Sequence, residues 1–168
     1  MKSRLVASAA LSAVVLLGTT GCTFITPQST KIEYSASDGV NISATDGPLE
    51  VRNAMVIATE DGATGNLIAA IVNPTAQNAT LTIEIEGLAP LTVRVGPNDT
   101  LSLGANAEPV RIDGLNTQPG ATVEMYFQSG DATGAAAEVP VLDGTLPYYA
   151  DLVPEPARDS TAGEAPAS

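Results

Sequence analysis

Turn-forming pairs cut the middle of this chain into pieces too short for a helix of ordinary length. They are Asp38-Gly39, Asp46-Gly47, Asp61-Gly62, Asn73-Pro74, Pro97-Asn98, Asp113-Gly114, Pro119-Gly120 and Asp143-Gly144. Glycine tolerates positive φ and proline presets φ near −65°, so such pairs reverse the chain. The segments between them alternate with a period of two. Leu81, Ile83 and Ile85 share one side of an extended chain, and Thr82, Glu84 and Glu86 the other. Leu91, Val93 and Val95 alternate with Thr92 and Arg94; Val123, Met125 and Phe127 alternate with Thr122, Glu124, Tyr126 and Gln128. Val51, Asn53, Met55 and Ile57 are expected on one face, with Arg52, Ala54 and Val56 on the other. Leu67–Val72 is continuously apolar, which predicts a central strand covered on both faces. The fold class expected is all-β, a single immunoglobulin- or cupredoxin-like β-sandwich of about seven to nine short strands.

One hairpin register follows from the alternation. Placing Ile85 opposite Leu91 and Ile83 opposite Val93 leaves Gly87-Leu88-Ala89 as the loop, with Glu84 opposite Thr92 and diagonal to Arg94 on the wet face. The Glu84–Arg94 pair reads as a weak surface contact.

The lone cysteine, Cys22, reports location. Lys2 and Arg4 precede a 13-residue apolar run, Leu5–Leu17, interrupted only by Ser8 and Ser12. That run falls short of the about 20 residues a membrane-spanning helix needs, so it reads as an export signal. The ending Leu16-Leu17-Gly18-Thr19-Thr20-Gly21-Cys22 resembles the lipobox of bacterial lipoproteins, whose cysteine receives a diacylglycerol before cleavage on its N-terminal side. Thr19 stands where that motif usually has leucine, and ordinary signal-peptidase cleavage with secretion is the alternative. The expected organisation is a lipoprotein signal peptide at 1–21, a membrane-proximal spacer at 22–31, the β-sandwich domain at 32–153 and a disordered acidic tail at 154–168. Removal of residues 1–21, which hold Lys2, Arg4 and no acidic residue, leaves 147 of 168 residues and takes the formal net charge from −12 to −14. Such a charge excludes nucleic acid and anionic lipid as electrostatic partners. The expected contacts are therefore the membrane, through acyl chains on Cys22 at the extracytoplasmic face, and an envelope protein partner not named by the sequence. One core can form in this length, and without a second cysteine no disulfide can support it.

Asn53-Ala54-Met55-Val56-Ile57, Leu67-Ile68-Ala69-Ala70-Ile71-Val72-Asn73-Pro74 and Leu81-Thr82-Ile83-Glu84-Ile85 resemble the core of the small LpqE-like lipoproteins of actinobacteria. These are distantly similar to periplasmic copper chaperones with a cupredoxin- or immunoglobulin-like sandwich. The resemblance implies the fold over about residues 45–145. Those chaperones hold copper through His and Met, and this chain has no His. Its mature methionines, Met55 and Met125, read as core filler, so the resemblance implies a copper site that has been lost.

Catalysis is not expected. Lack of His removes the Ser-His and Cys-His pairs and the imidazole metal ligand, and no Gly-rich phosphate loop occurs. No cofactor and no metal site is expected. A small-ligand or metal-binding envelope chaperone is the second reading; its form would be calcium rather than copper, through Glu60, Asp61, Asp99, Asp131 and Asp143 in loops. A carboxylate-dependent hydrolase is the third. The sequons at Asn41, Asn78 and Asn98 suit surface loops, but a bacterial lipobox argues against their glycosylation. Tyr148 and Tyr149, after Pro147, are the candidate contact patch, since adjacent residues of an extended chain point to opposite sides.

Overall fold

The computed structural model describes residues 37–42 and 47–155, so the signal peptide, Cys22, the spacer and all of the tail beyond Glu155 lie outside the described residues. Nine strands run in the order β1 (Val40–Ile42), β2 (Glu50–Ala58), β3 (Thr64–Asn73), β4 (Ala79–Ile85), β5 (Leu91–Val95), β6 (Asp99–Leu103), β7 (Val110–Asp113), β8 (Thr122–Ser129) and β9 (Ala135–Leu142). A single 3-10 turn, Ala150–Leu152, is the one helical piece among the named elements. The architecture is the all-β sandwich expected from the alternation.

One layer is β5-β4-β8-β9, antiparallel throughout. The other centres on the β2–β3 pair, with β1 added to β2. β6 and β7 lie end to end along the same edge of β3, β6 against Ala69–Asn73 and β7 against Thr64–Leu67. β9 joins the layers. Its first six residues pair with β8, and then Val141 and Leu142 pair in parallel with Val56 and Ile57 of β2. The result is a nearly closed path, β5-β4-β8-β9-β2-β3-β6.

Between the layers lies a core in which Val56, Leu67, Ile71, Ile83, Met125, Phe127, Val139 and Val141 are inaccessible to solvent. The faces of β4, β5 and β8 fall as the alternation requires: Leu81, Ile83 and Ile85 are buried, while Thr80 and Glu84 are exposed. The β4–β5 register differs from expectation by two residues. Ile83 pairs with Leu91 and Leu81 with Val93, so Thr82 rather than Glu84 stands opposite Thr92, Thr80 stands opposite Arg94, and Glu84 pairs with Tyr126 of β8 on the other side. The connection is therefore the five residues 86–90. Pro90 has no N–H to give a ladder, and the chain turns early, with Gly87 at φ 78° and the Leu88 N–H donating to the Ile85 carbonyl at 3.1 Å. A shift of two leaves every side chain on its expected face.

β2 departs more deeply. Asn53 sits at φ 52°, and the pairing with β3 gains a residue between Arg52 and Met55. This bulge reverses the facing of everything after it. Val51 joins Ala54, Val56 and Ala58 in the main core, whereas Met55 and Ile57 turn to the opposite side and build a second cluster with Tyr149. β1 clamps the bulge: the Asn53 N–H donates to Asn41 Oδ1 and Asn53 Oδ1 accepts from the Gly39 N–H, each at 2.9 Å. β3 is central but covered fully on one face only. Leu67, Ala69 and Ile71 are buried, and Ile68, Ala70 and Val72 are half-buried.

The Asn73-Pro74 turn holds one end together from inside. Asn73 is 1% exposed. Its Nδ2 donates to the carbonyls of Gln77 (2.7 Å), Gly96 (2.8 Å) and Val95 (3.2 Å), and its Oδ1 accepts from the Thr75 N–H and hydroxyl. A buried amide satisfied on both ends ties the β3–β4 loop to the β5–β6 loop.

Candidate functional site

Two surface features carry chemistry. On the outer side of the β4–β8 layer, Glu84 on β4, Glu86 just after it, and Glu124 and Tyr126 on β8 point away from the core, because their neighbours Ile85, Met125 and Phe127 point into it. With the loops at 86–90 and 115–117 they enclose an open groove of about 600 Å³. Ile85 and Leu115, both buried in the core, and the half-buried Leu88 and Val123 also line it. Tyr126 is fixed as one wall: its hydroxyl accepts from the Gly134 N–H at 3.0 Å, and a Cβ on Gly134 would lie 2.5 Å from its ring. Gly134 is thus a close-approach glycine. Glu124 stands directly opposite Glu138 on β9, and the Thr122 hydroxyl donates to Glu138 at 2.7 Å. Among the described residues, the ion pairs are Arg52–Glu50 and Arg111–Asp113, so Glu84, Glu86 and Glu124 have no cationic partner there.

The second feature is the strap that follows β9. Tyr149 is 8% exposed and packs on Met55 and Ile57, with Ile68, Leu142, Leu152 and Val153 around them. Its hydroxyl donates to Asp38 Oδ2 at 2.6 Å. Burial, with Asp38 accepting the proton, pushes the phenol well above its ordinary pKa. Farther along, Asn66 Nδ2 donates to the Leu152 carbonyl at 2.9 Å, and Arg111 donates to the Glu155 carbonyl at 2.8 Å. Pro154 is buried, so the packed chain reaches past residue 153. The candidate pair is split: Tyr149 closes the second cluster, while Tyr148 is 62% exposed, its ring edge-on to that of Tyr149 at 4.5 Å. Leu146, 44% exposed, stands nearby and lines a pocket of about 330 Å³ with Leu142, Pro119 and Tyr149.

Of the calcium candidates, Glu60 and Asp61 share one turn, Asp99 opens β6, and Asp131 and Asp143 lie in other connections; the oxygens of Asp61, Asp99 and Asp143 serve their own local backbone. Asp61 accepts from the Thr59 hydroxyl and the Ala63 N–H, which hold its carboxyl below the usual range; Asp143 is lowered likewise by the Thr145 N–H and hydroxyl. Asp99 accepts from the Thr100 N–H. Among the described residues no three acidic, His or Cys side chains form a group able to hold a metal ion. Met55 and Met125 are both buried, in different clusters. Two buried thioethers in separate clusters do not form a preorganised soft-ligand set. Replacing both by Leu, which roughly conserves volume, should leave copper(I) binding unchanged. Competition against a copper(I) chelator, with a domain starting at Thr23, measures this; tight stoichiometric binding lost in the double variant would show a methionine site.

No family model and no curated protein matches the chain. Solved structures do. A copper-bound PCuAC domain from PmoF2 superposes with a TM-score of 0.45 at 13% identity, covering 58% of this chain and 94% of the other. An apo PCuAC domain from PmoF1 gives 0.48 at 16%, covering 61% and 97%, and an apo PmoF2 PCuAC domain 0.49 at 12%, covering 64% and 98%. Scores and identities this low transfer no residue role to this chain.

Proposed function

We propose that this chain is a non-catalytic interaction module of the cell envelope, of the LpqE-like kind, held at the extracytoplasmic face by acyl chains on Cys22. The observation that carries the reading is the Leu146–Tyr148 patch. These are the two exposed large hydrophobics among the described residues, and Leu146 lines the pocket it shares with Leu142, Pro119 and Tyr149. They also sit on a strap anchored by Tyr149, Leu152 and Glu155, so the patch is presented without an ordering cost. An exposed tyrosine is of the residue type enriched in protein-contact hot spots.

Membrane-fraction pull-down with the intact lipoprotein tests it. A protein partner should be recovered with the wild type, and recovery should fall about tenfold when Leu146→Ser and Tyr148→Ser are combined, a loss of about 1.4 kcal/mol. Failure to recover any partner would count against an interaction module. Equal recovery by wild type and variant would remove the patch from the contact.

A further inference from the structure

We propose that the free edge of β5 accepts an extended segment of a partner protein as an added strand. The segment alternates apolar and polar residues and carries a carboxylate opposite Arg94. The inference rests neither on the Cys22 anchor nor on the Leu146–Tyr148 patch, which lies on the strap after β9.

β5 ends the strand path, and among the described residues it pairs with β4 alone. In an antiparallel ladder alternate residues turn their N–H and C=O groups to the outer edge, and an unpaired row of them is a template for another strand. Asn73 Nδ2 takes the Val95 carbonyl at the strand's end, which leaves residues 91–94 open. The other edges are blunted. On β6 the Ser102 N–H donates to Asn106 Oδ1 at 2.8 Å, and the Ser102 carbonyl accepts from the Asn106 and Ala107 N–H groups at 3.0 and 3.1 Å. On β7, Arg111 donates to the Glu155 carbonyl, which lays the end of the strap against that strand. β1 is only three residues long. β5 has five residues in unbroken register with β4 and no proline within it.

Charge identifies the occupant. Arg52, Arg94 and Arg111 are the described cations, and Arg94 is the one without an ion pair. Arg94 is exposed on an uncharged part of its face: Thr80 stands opposite it, Thr82 opposite Thr92, and Gln128 of β8 beside Thr82. Glu84 lies four residues farther along β4 than Thr80, about 13 Å at the rise of a strand. A carboxylate on an added strand would supply the missing counter-ion, because opposite charges across a strand pair attract. On the core side Val93 is buried and Leu91 half-buried, so apolar residues of the segment would fall beside them. A second copy of the chain fits worse. Antiparallel pairing of two β5 strands centred on Val93 sets Arg94 against the other copy's Thr92, and two chains of strongly negative net charge repel.

Fluorescence anisotropy with a labelled heptapeptide, valine alternating with threonine, glutamate and threonine, tests this on the mature full chain in neutral detergent. Arg94→Gln should bind it about fivefold more weakly, while Arg52→Gln, which removes a positive charge elsewhere, stays within about twofold of wild type. Arg94→Glu should reverse the preference and bind the peptide with lysine in place of glutamate more tightly than the original. Two N-methylated peptides probe the ladder. Methyl groups on one alternate set of nitrogens should abolish binding, and on the other set leave it intact. Thermal melting verifies that the variants fold. Failure of the wild type to bind, an unreversed preference in Arg94→Glu, or two methylated peptides that behave alike would each overturn the site. So would self-association of Arg94→Gln without peptide, read by sedimentation velocity in the same detergent, which would make Arg94 a guard against edge pairing.

Discussion

Ile83→Ala should destabilise the domain by about 2 to 5 kcal/mol, and Glu84→Ala, one residue later, by no more than about 0.5 kcal/mol. Ile83 is fully buried at the middle of β4, paired with Leu91 of β5 on one side and Phe127 of β8 on the other. Truncation to Ala removes its buried methyl and methylene groups and leaves a cavity between the two layers, which the hydrogen-bonded sheets can close only in part. Glu84 is exposed on the other face and holds no ion pair among the described residues. Small domains have about 5 to 15 kcal/mol to lose, so the Ile83 variant should still fold, with an earlier midpoint. Urea unfolding measures the difference, with equal slopes required for the comparison. Similar losses at the two positions would mean that β4 faces the other way.

The faces of β4, β5 and β8 were readable because period-two alternation survives any register. Pairing was not, because it depends on where the turn closes. Pro90 and the left-handed Gly87 close it early, and either register buries the same residues. β2 departs from its alternation for a different reason. Its apolar residues fall on both faces, so alternation could not announce that Asn53 takes a left-handed conformation and inserts a residue. The one local sign was an asparagine, a residue that tolerates that region, inside an otherwise apolar strand. β9 was still less visible. Its first three residues are alanine and Pro140 lies within it, a composition that disfavours a strand in isolation; its place between β8 and β2 comes from the tertiary fold. The groove was hidden with it. Glu84, Glu86, Glu124 and Tyr126 each alternate onto a wet face, but only the pairing of β4 with β8 makes them neighbours. The two tyrosines divided because a 3-10 turn, with Tyr149 as its cap, replaces the extended chain there and the bulge-reversed Met55 and Ile57 offered Tyr149 a surface to cover.

Cys22→Ala should abolish fatty-acid incorporation and leave the chain as a full-length precursor. The signal's apolar run ends at Gly18-Thr19-Thr20-Gly21, so the cysteine is the only residue that a diacylglycerol transfer to sulfur can use. Each buried methylene contributes about 0.8 kcal/mol, and one acyl chain binds a bilayer only marginally, whereas two or more anchor a protein stably. The mature chain contributes no electrostatic attraction of its own, since its net charge of −14 is repelled by anionic lipid. On the proposed lipid anchoring, membrane residence would depend on that one sulfur. A labelled fatty acid, cell fractionation and the intact mass of the product together report the outcome. Wild type should carry the label, sediment with membranes and begin at Cys22. The variant should lack the label and keep residues 1–21. Label persisting in Cys22→Ala would refute the assignment, and unlabelled wild type cleaved near Gly21 and released to the medium would show that Thr19 directs the chain to ordinary signal peptidase instead.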